Sequence, residues 1–331
     1  MIYIKPDFYD KFKCIASACT DSCCIGWEID IDCDTLEKYN TSQTSFGEKI
    51  RAEIINSEDG SKCFRLTENE RCPFLNEKNL CDIIINCGEN EICDICKEHP
   101  RFYEWFANIT ECGLGLSCEE VCRLLIESEK MFTLTEYNDG EKIILTAPED
   151  TVETDTYIFL SAFRETLFDC LKDEKTPFCE KIDLIKSKTE NFANEKIFLK
   201  SDDELITAYL NTEPIDEKWT EYISAISKNY RDYLKSEKEF DKKTDSDMIY
   251  SKILAYIIYR HFIKSVFDGD IAQRIAFCIE SVRFIKICDI KTFCESGALT
   301  LRDRINNLKN WSKQIEYSDL NTENLIYGDD F

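Results

Sequence analysis

The chain has 331 residues, nineteen of them cysteine, and carries 41 Lys+Arg against 65 Asp+Glu for a formal net charge of −24. Charge this negative argues against a nucleic-acid binder, whose affinity comes from basic side chains neutralising phosphates, and against docking on an anionic membrane. With 43% hydrophobic and 12% aromatic residues the chain is no disordered polyanion, and its length predicts two domains.

In chain order, the first seven residues lack the basic start and apolar stretch of a signal peptide. The longest apolar run, Ile253 to Ile263, is interrupted by Arg260 and His261 and is shorter than the roughly 20 residues a membrane span needs. The cysteines are therefore expected in a reducing cytosol, where disulfides rarely persist. Fourteen of them precede residue 131 and only five follow. The early part reads as short helices, turns and ligand loops. A helix is expected from Asp34 to Tyr39, with Asp34 as N-cap and Glu37 at N3. Gly113-Leu114-Gly115 reads as a turn, and Cys118 to Ile126 as a helix closing the region. Thr135 to Thr154 looks like a seam: Asn138-Asp139-Gly140 and Pro148-Glu149-Asp150 are turn signals, with Ile143-Ile144-Leu145 as a strand or packed linker between them.

Beyond the seam the periodicity is helical. Tyr157, Leu160, Phe163, Leu167 and Leu171 share one helix face; Leu205, Tyr209 and Leu210 mark a short second helix, and Trp219, Tyr222, Ile223, Ile226 and Tyr230 a third. Asp247 to Phe267 is apolar on several faces, as in the central helix of a bundle, and Ile271 to Phe293 forms another helix after Asp268-Gly269-Asp270. The acidic tail from Asn321 is expected to fray. The fold predicted is mainly α: a cysteine-rich metal-binding region (1–134), a linker (135–154) and a helical bundle (155–331) onto which the first region packs.

The cysteine spacings are C-x4-C-x3-C-C-x-G-W from Cys14 to Trp27, then Cys72-Pro73-Phe74-Leu75 with Asn79-Leu80-Cys81, then Cys93-x2-Cys96 before His99-Pro100-Arg101, and finally Cys118. Structural zinc favours two C-x2–4-C knuckles; Cys93-x2-Cys96 qualifies and Cys118-x3-Cys122 is a possible second. The vicinal Cys23-Cys24 pair suits zinc less, because neighbouring residues rarely aim both side chains at one ion. Iron–sulfur clusters accept irregular thiolate spacing. Iron–sulfur, zinc and reduced structural thiols all stay open on spacing alone. Cys170, Cys278 and Cys288 lie on apolar helix faces and read as core; Cys33, Cys63, Cys87 and Cys112 lack a partner spacing and read as packing; Cys93 and Cys122 are ambiguous. There is no phosphate-binding glycine motif. The C-x3-C-x2-C triad usual for radical S-adenosylmethionine chemistry is absent too, since Gly26 stands where its third cysteine belongs.

The ordered set F-x-C-x4-C-x3-C-C-x-G-W, I-x-I-D (Ile29 to Asp32), C-P-F-L…L-C, C-x3-P-R and S-C-x-E-x-x-R-L-L resembles the flagellin lysine-N-methylase family, within the broader cysteine-cluster proteins thought to bind iron–sulfur or zinc. The likeness is strong over Tyr9 to Ile126; further on it rests on length and helical character. It implies a cytoplasmic enzyme methylating flagellin lysines with S-adenosylmethionine as donor. It also implies a 4Fe–4S cluster held by four of Cys14, Cys19, Cys23, Cys24, Cys72, Cys81, Cys96 and Cys118, with the Cys19–Cys24 group, Cys96 and Cys118 favoured. Where the family shows proline and alanine after the last cysteine, this chain has Glu119 and Cys122. The alternative is a non-catalytic iron–sulfur or zinc module, a sensor or metal chaperone.

Methyl transfer to lysine needs a neutral amine, a proton acceptor and a held sulfonium, and aromatic faces attract both cations. Trp27, Tyr103, Trp105 and Phe106 are candidate faces, with Glu28, Asp30, Asp32 or Glu104 as polar partners. Trp27, Glu28, Asp32 and Arg101 form the catalytic short list. His99 and His261 are too few for a histidine metal site, and His261 reads as a core residue.

Overall fold

The computed structural model describes residues 2–57, 60–106, 108–137 and 154–328; the turn signals and the run 143–145 of the expected seam lie outside them. The chain opens with β1 (Ile2–Pro6), α1 (Cys33–Thr41), α2 (Ser45–Ala52) and the antiparallel hairpin β2 (Ile54–Asn56)–β3 (Lys62–Phe64). It continues with α3 (Asp82–Cys87), α4 (Asp94–Glu98), β4 (Arg101–Phe106), β5 (Ile109–Leu114), α5 (Glu119–Glu127) and β6 (Leu134–Tyr137). The helix expected from Asp34 exists, but its cap is Asp32, whose carboxylate accepts the Thr35 N–H at 2.8 Å. Asp34 instead sits in the first turn, where its charge suits the helix dipole.

A four-stranded sheet, order β4-β5-β1-β6, was not expected. β1 runs parallel to β5 (Ile2 opposite Ile109) and antiparallel to β6 (Tyr3 opposite Tyr137); β4 pairs antiparallel with β5. Its strands escape the period-two pattern for a physical reason. β5 is buried along its whole length, and its polar Glu111 is satisfied inside the protein. The Arg164 guanidinium donates to Glu111 at 2.5 and 2.8 Å and the Tyr157 hydroxyl at 2.5 Å. Gly113 is a strand residue rather than a turn: a Cβ there would lie 2.0 Å from the Phe102 ring on β4.

The helical part comprises α6 (Thr154–Lys172), α7 (Phe178–Ala193), α8 (Asp202–Leu210), α9 (Glu217–Leu234), α10 (Glu237–Thr244), α11 (Asp247–His261), α12 (Ser265–Asp268), α13 (Ile271–Ser296), α14 (Leu301–Ile315) and α15 (Asp319–Tyr327). All five residues of the predicted α6 face are buried. α8 begins with a capping box in which Ser201 and Glu204 bond each other's backbone, as an acidic first turn favours. α11 is the buried central helix; it ends at His261, and a 3-10 turn over Phe262–Lys264 leads into α12. The tail does not fray at Asn321. α15 forms, and the buried Asn321 amide donates to Glu213 O and Gln314 O at 2.9 Å each. No helix among the described residues is long and apolar enough to cross a membrane.

Two apolar cores result. The large one joins the sheet to the bundle, with Phe106, Leu114 and Leu125 packed among residues of α6, α11 and α13. Lys252 of α11 reinforces the joint, donating to Ile126 O and Ser128 O at 2.6 and 2.7 Å at the C-terminal end of α5. The small core lies wholly within residues 24–96 and mixes Ile29, Ile31, Tyr39, Ile50, Phe64 and Phe74 with cysteines.

Candidate metal centre

Five thiols belong to the small core: Cys72 and Cys93 are buried within it, and Cys24, Cys81 and Cys96 pack against it. Local backbone pairing explains their meeting. The Cys72 N–H donates to Cys24 O at 2.8 Å, beside an isolated bridge between Ile25 and Arg71. A second bridge sets Leu75 against Cys81, folding the Cys72–Cys81 segment back on itself. Cys93 precedes α4 and Cys96 lies one turn on, with its N–H on Cys93 O at 3.0 Å. The thiols sense one another: Cys72 interacts electrostatically with Cys24, Cys81 and Cys93, and Cys96 with Cys93, Cys24 and Cys72.

Where the N-terminal loop meets α5, Cys19 lies beside Glu119 and Cys118 stands at the helix's N-terminal end. The Cys19 thiol donates to Glu119 Oε2 at 3.6 Å, and the same oxygen accepts the Thr20 N–H at 2.9 Å and the Thr20 hydroxyl. Glu119, which replaces the family's usual proline, therefore fastens the loop to α5. Asp21 fastens it to α14, pairing with Lys313 and, at 3.4 Å, with Lys309.

In the vicinal pair a hydrogen bond joins the Cys23 and Cys24 thiols. One proton is shared, so one thiol ionises readily and the other resists: the bond from Cys23, helped by Ser22 and Arg71, lowers Cys24 to about 7 and raises Cys23. The Cys93–Cys96 pair behaves alike, their bond lowering Cys93 and raising Cys96. Burial raises Cys72 to about 12 and Cys118 to about 11.

Every cysteine is a free thiol. Among the described residues, no three His, Cys, Asp or Glu side chains are already closed around a point where a metal ion would sit. The donor chemistry nonetheless fits a soft metal. The small core's five cysteines lie in apolar surroundings, Cys93 and Cys96 share a thiol–thiol hydrogen bond, and soft thiolates are the donors that zinc and iron–sulfur select. Cys93 joins this group although the resemblance did not include it; its C-x2-C spacing to Cys96 was the available signal. Tyr39 also belongs here, its hydroxyl donating to Glu91 O at 2.7 Å and lying 3.8 Å from Cys93 Sγ. Cys96 and Cys118, favoured together for one cluster, pack against different cores, the small and the large.

The remaining cysteines divide by burial. Cys63, Cys112, Cys278 and Cys288 are buried, and Cys170 is half-buried with its thiol on Thr166 O at 3.3 Å. Cys122 is buried and donates to Leu116 O at 2.9 Å, which makes it a packing residue. Cys33 and Cys87 are exposed rather than packed.

Of the catalytic short list, Trp27 is half-buried, donates its indole N–H to Cys23 O, and lies 6.1 Å from the His99 ring. Burial lowers His99 to about 4, leaving a neutral imidazole near neutrality. Arg101 lies 5.8 Å from the Tyr9 ring and 5.5 Å from Phe12, and donates to Lys97 O at 3.3 Å. Tyr103 donates to Glu98 at 2.6 Å, contacts the Tyr9 hydroxyl at 3.4 Å and stacks on Trp105. Glu28 is exposed. Asp32 caps two helices, accepting the Thr35 N–H and, at 2.9 Å, the Asp94 N–H, which is a structural role. Phe106 is fully buried in the large core, and Glu104 pairs with Lys264 at 2.8 Å. His261 is a core residue, 3.0 Å from Glu316.

Comparison with known proteins matches residues 144–327 to the family model of the FliB lysine N-methylase C-terminal domain. That is the helical part, where the sequence likeness had rested on length and helical character. The chain is 28% identical over 149 residues to the lysine-N-methylases of Salmonella typhimurium (strain LT2) and Salmonella choleraesuis, an alignment covering 44% of this chain and 37% of each relative. It is 28% identical over 137 residues to the flagellar biosynthetic protein FliU of Salmonella muenchen, covering 40% of this chain and 81% of the relative. The matched stretch thus spans little more than a third of the two methylases. No solved structure matches.

Proposed function

The chain belongs to the FliB lysine N-methylase family, and on that premise we propose that it is a cytoplasmic lysine N-methyltransferase acting on flagellin. The observation that carries this reading is the family match over 144–327, more than half of the chain. The donor is S-adenosylmethionine. Four thiols among Cys14, Cys19, Cys23, Cys24, Cys72, Cys81, Cys96 and Cys118 would hold a 4Fe–4S cluster, which would supply either a structural clamp or a redox centre when bound.

The acceptor lysine must first lose its proton; its Nζ then forms a bond to the donor methyl carbon as the carbon–sulfur bond breaks, the electron pair leaving with sulfur. Trp27, 6.1 Å from the His99 ring, and Glu98, next to His99 in the chain, are suited to help. Trp27 offers an aromatic face to a cationic sulfonium or ammonium. Glu98, held by Tyr103, is a carboxylate at hydrogen-bonding range of a side-chain hydroxyl and suited to receive the lysine proton. Burial in such a site lowers a lysine's pKa and so raises the share of neutral amine. The net charge of −24 favours approach of basic side chains.

The test is to incubate anaerobically purified, iron-loaded chain with isotopically labelled S-adenosylmethionine and flagellin from the same source. Labelled methyl-lysine, detected by mass spectrometry of flagellin peptides, is the expected result. Metal-loaded protein that leaves flagellin unlabelled overturns the reading and favours a non-catalytic metal module.

A further inference from the structure

Phe198, on the connection between α7 and α8, is 85% exposed, although the segment that carries it is held at both ends. Asn194 turns the chain in the left-handed conformation after α7, and Ile197 is buried with its N–H on Glu190 Oε1 at 3.1 Å. On the other side the Lys200 N–H donates to Glu280 Oε1 at 2.6 Å, and Lys200 O accepts from Arg283 at 2.8 Å. The exposed ring between these anchors lines a cavity of about 200 Å³ bounded by this segment, α13 and α15. That is more than the roughly 150 Å³ that accommodates a benzene molecule.

The lining combines an apolar channel with an incomplete polar edge. Ala272 and Ala276 of α13, one turn apart, leave space that larger side chains would fill, and Phe277 adds a second ring. Both lysines of the lining already have carboxylates, Lys196 on Glu190 at 2.8 Å and Lys200 on Glu280 at 2.9 Å. Glu195 makes no ion pair among the described residues. Its Oε1 accepts the Gln273 amide N–H at 3.4 Å, which orients that amide and leaves Gln273 Oε1 buried with no hydrogen-bond partner among the described residues. A buried acceptor without a donor is rare in native structures. A carboxylate without a cation, an acceptor without a donor and two rings beside small apolar residues together suit an ammonium on an alkyl stem.

We propose that this cleft docks a lysine side chain of the polypeptide substrate, its stem against Ala272, Ala276 and the two rings and its ammonium at Glu195 and Gln273 Oε1. None of the lining residues belongs to the N-terminal region, so the docked lysine is a different one from the lysine that meets Trp27 and Glu98. The partner's identity rests on the proposed function. Docking of this kind strengthens ground state and transition state alike, and so lowers KM without changing kcat.

The experiment titrates the metal-loaded full chain, its alanine methyl groups isotopically labelled for NMR, with Nα-acetyl-lysine methylamide and with the uncharged Nα-acetyl-norleucine methylamide. The Ala272 and Ala276 methyl signals should shift and saturate with the lysine probe, and the norleucine probe should bind about fivefold more weakly. Glu195→Gln and Gln273→Leu, with wild-type circular dichroism, should abolish most of that preference; if Gln273→Leu fails to fold, Glu195→Gln decides. Signals that stay in place, or that respond equally to both probes, overturn the proposal. With flagellin as substrate, Glu195→Gln should raise KM about fivefold at constant kcat, and an unchanged KM also overturns it. The titration needs neither donor nor flagellin. A chain that binds the lysine probe yet leaves flagellin unlabelled therefore refutes the proposed function and not the cleft, whereas methylation with unmoved alanine signals refutes the cleft and not the function.

Discussion

The small sulfur-rich core and the large helical core solve the same problem with different means. The large core buries whole helix faces, among them nearly all of α11 and most of α13, so apolar burial at roughly 25 cal/mol per Å² can carry it. The small core has short helices, a hairpin of two three-residue strands and only a handful of large apolar side chains around its cysteines. A unit that small is marginal on burial alone and typically relies on metal or cross-links. The contrast teaches that the cysteines of the two regions are not one chemical population: in the bundle Cys278 and Cys288 act as small hydrophobes, whereas in the small core the thiols meet one another.

The largest test of this contrast strikes the joint of the large core. Arg164→Met leaves Glu111 as a buried charge held only by Tyr157, and should cost about 3–5 kcal/mol in denaturant unfolding. Loss of that magnitude should melt sheet and bundle together; separate melting would break the idea that they share one core.

A smaller effect is expected from acid. Burial lowers His261 to about 4, below its unfolded value of 6.5, so the unfolded chain binds the proton first. Stability contributed by the neutral ring is complete above pH 6.5 and is lost as pH falls from 6.5 towards 4, on the order of 1–3 kcal/mol. Glu316 adds in the same direction lower down: against the upward push of burial, Arg260 and His261 hold it below 4.5, so its contribution is lost as it protonates. Denaturation midpoints measured across this range should show the decline, and His261→Gln should flatten its upper part.

The smallest effect belongs to the small core. Asp32→Ala removes acceptors for the Thr35 and Asp94 N–H groups, and should cost about 1–2 kcal/mol. Hydrogen exchange should locate the loss within residues 24–96, with the bundle amides unchanged; uniform loss would merge the two cores into one.

The bundle was readable because a helix with one buried face prints that face at spacings of three and four, as Tyr157 to Leu171 do. β5 was unreadable because it is buried on both sides and its one charge is neutralised by Arg164, a partner 53 residues away. α15 looked like a tail because its acidic run gave no hint that Asn321 would be buried against Glu213 and Gln314.

From the linear order alone came the crowding of thiols before residue 131, the helical character of the remainder and the family likeness, since each is a matter of composition, periodicity or spacing along the chain. Which thiol meets which was decided only in three dimensions. The pairing of Cys72 with Cys24 is a contact between segments and the bridge from Leu75 to Cys81 folds one segment back on itself, whereas Cys93 and Cys96 are joined by a local turn that their spacing already signalled. Adjacent Cys23 and Cys24 share a hydrogen bond between their thiols, which spacing along the chain did not disclose.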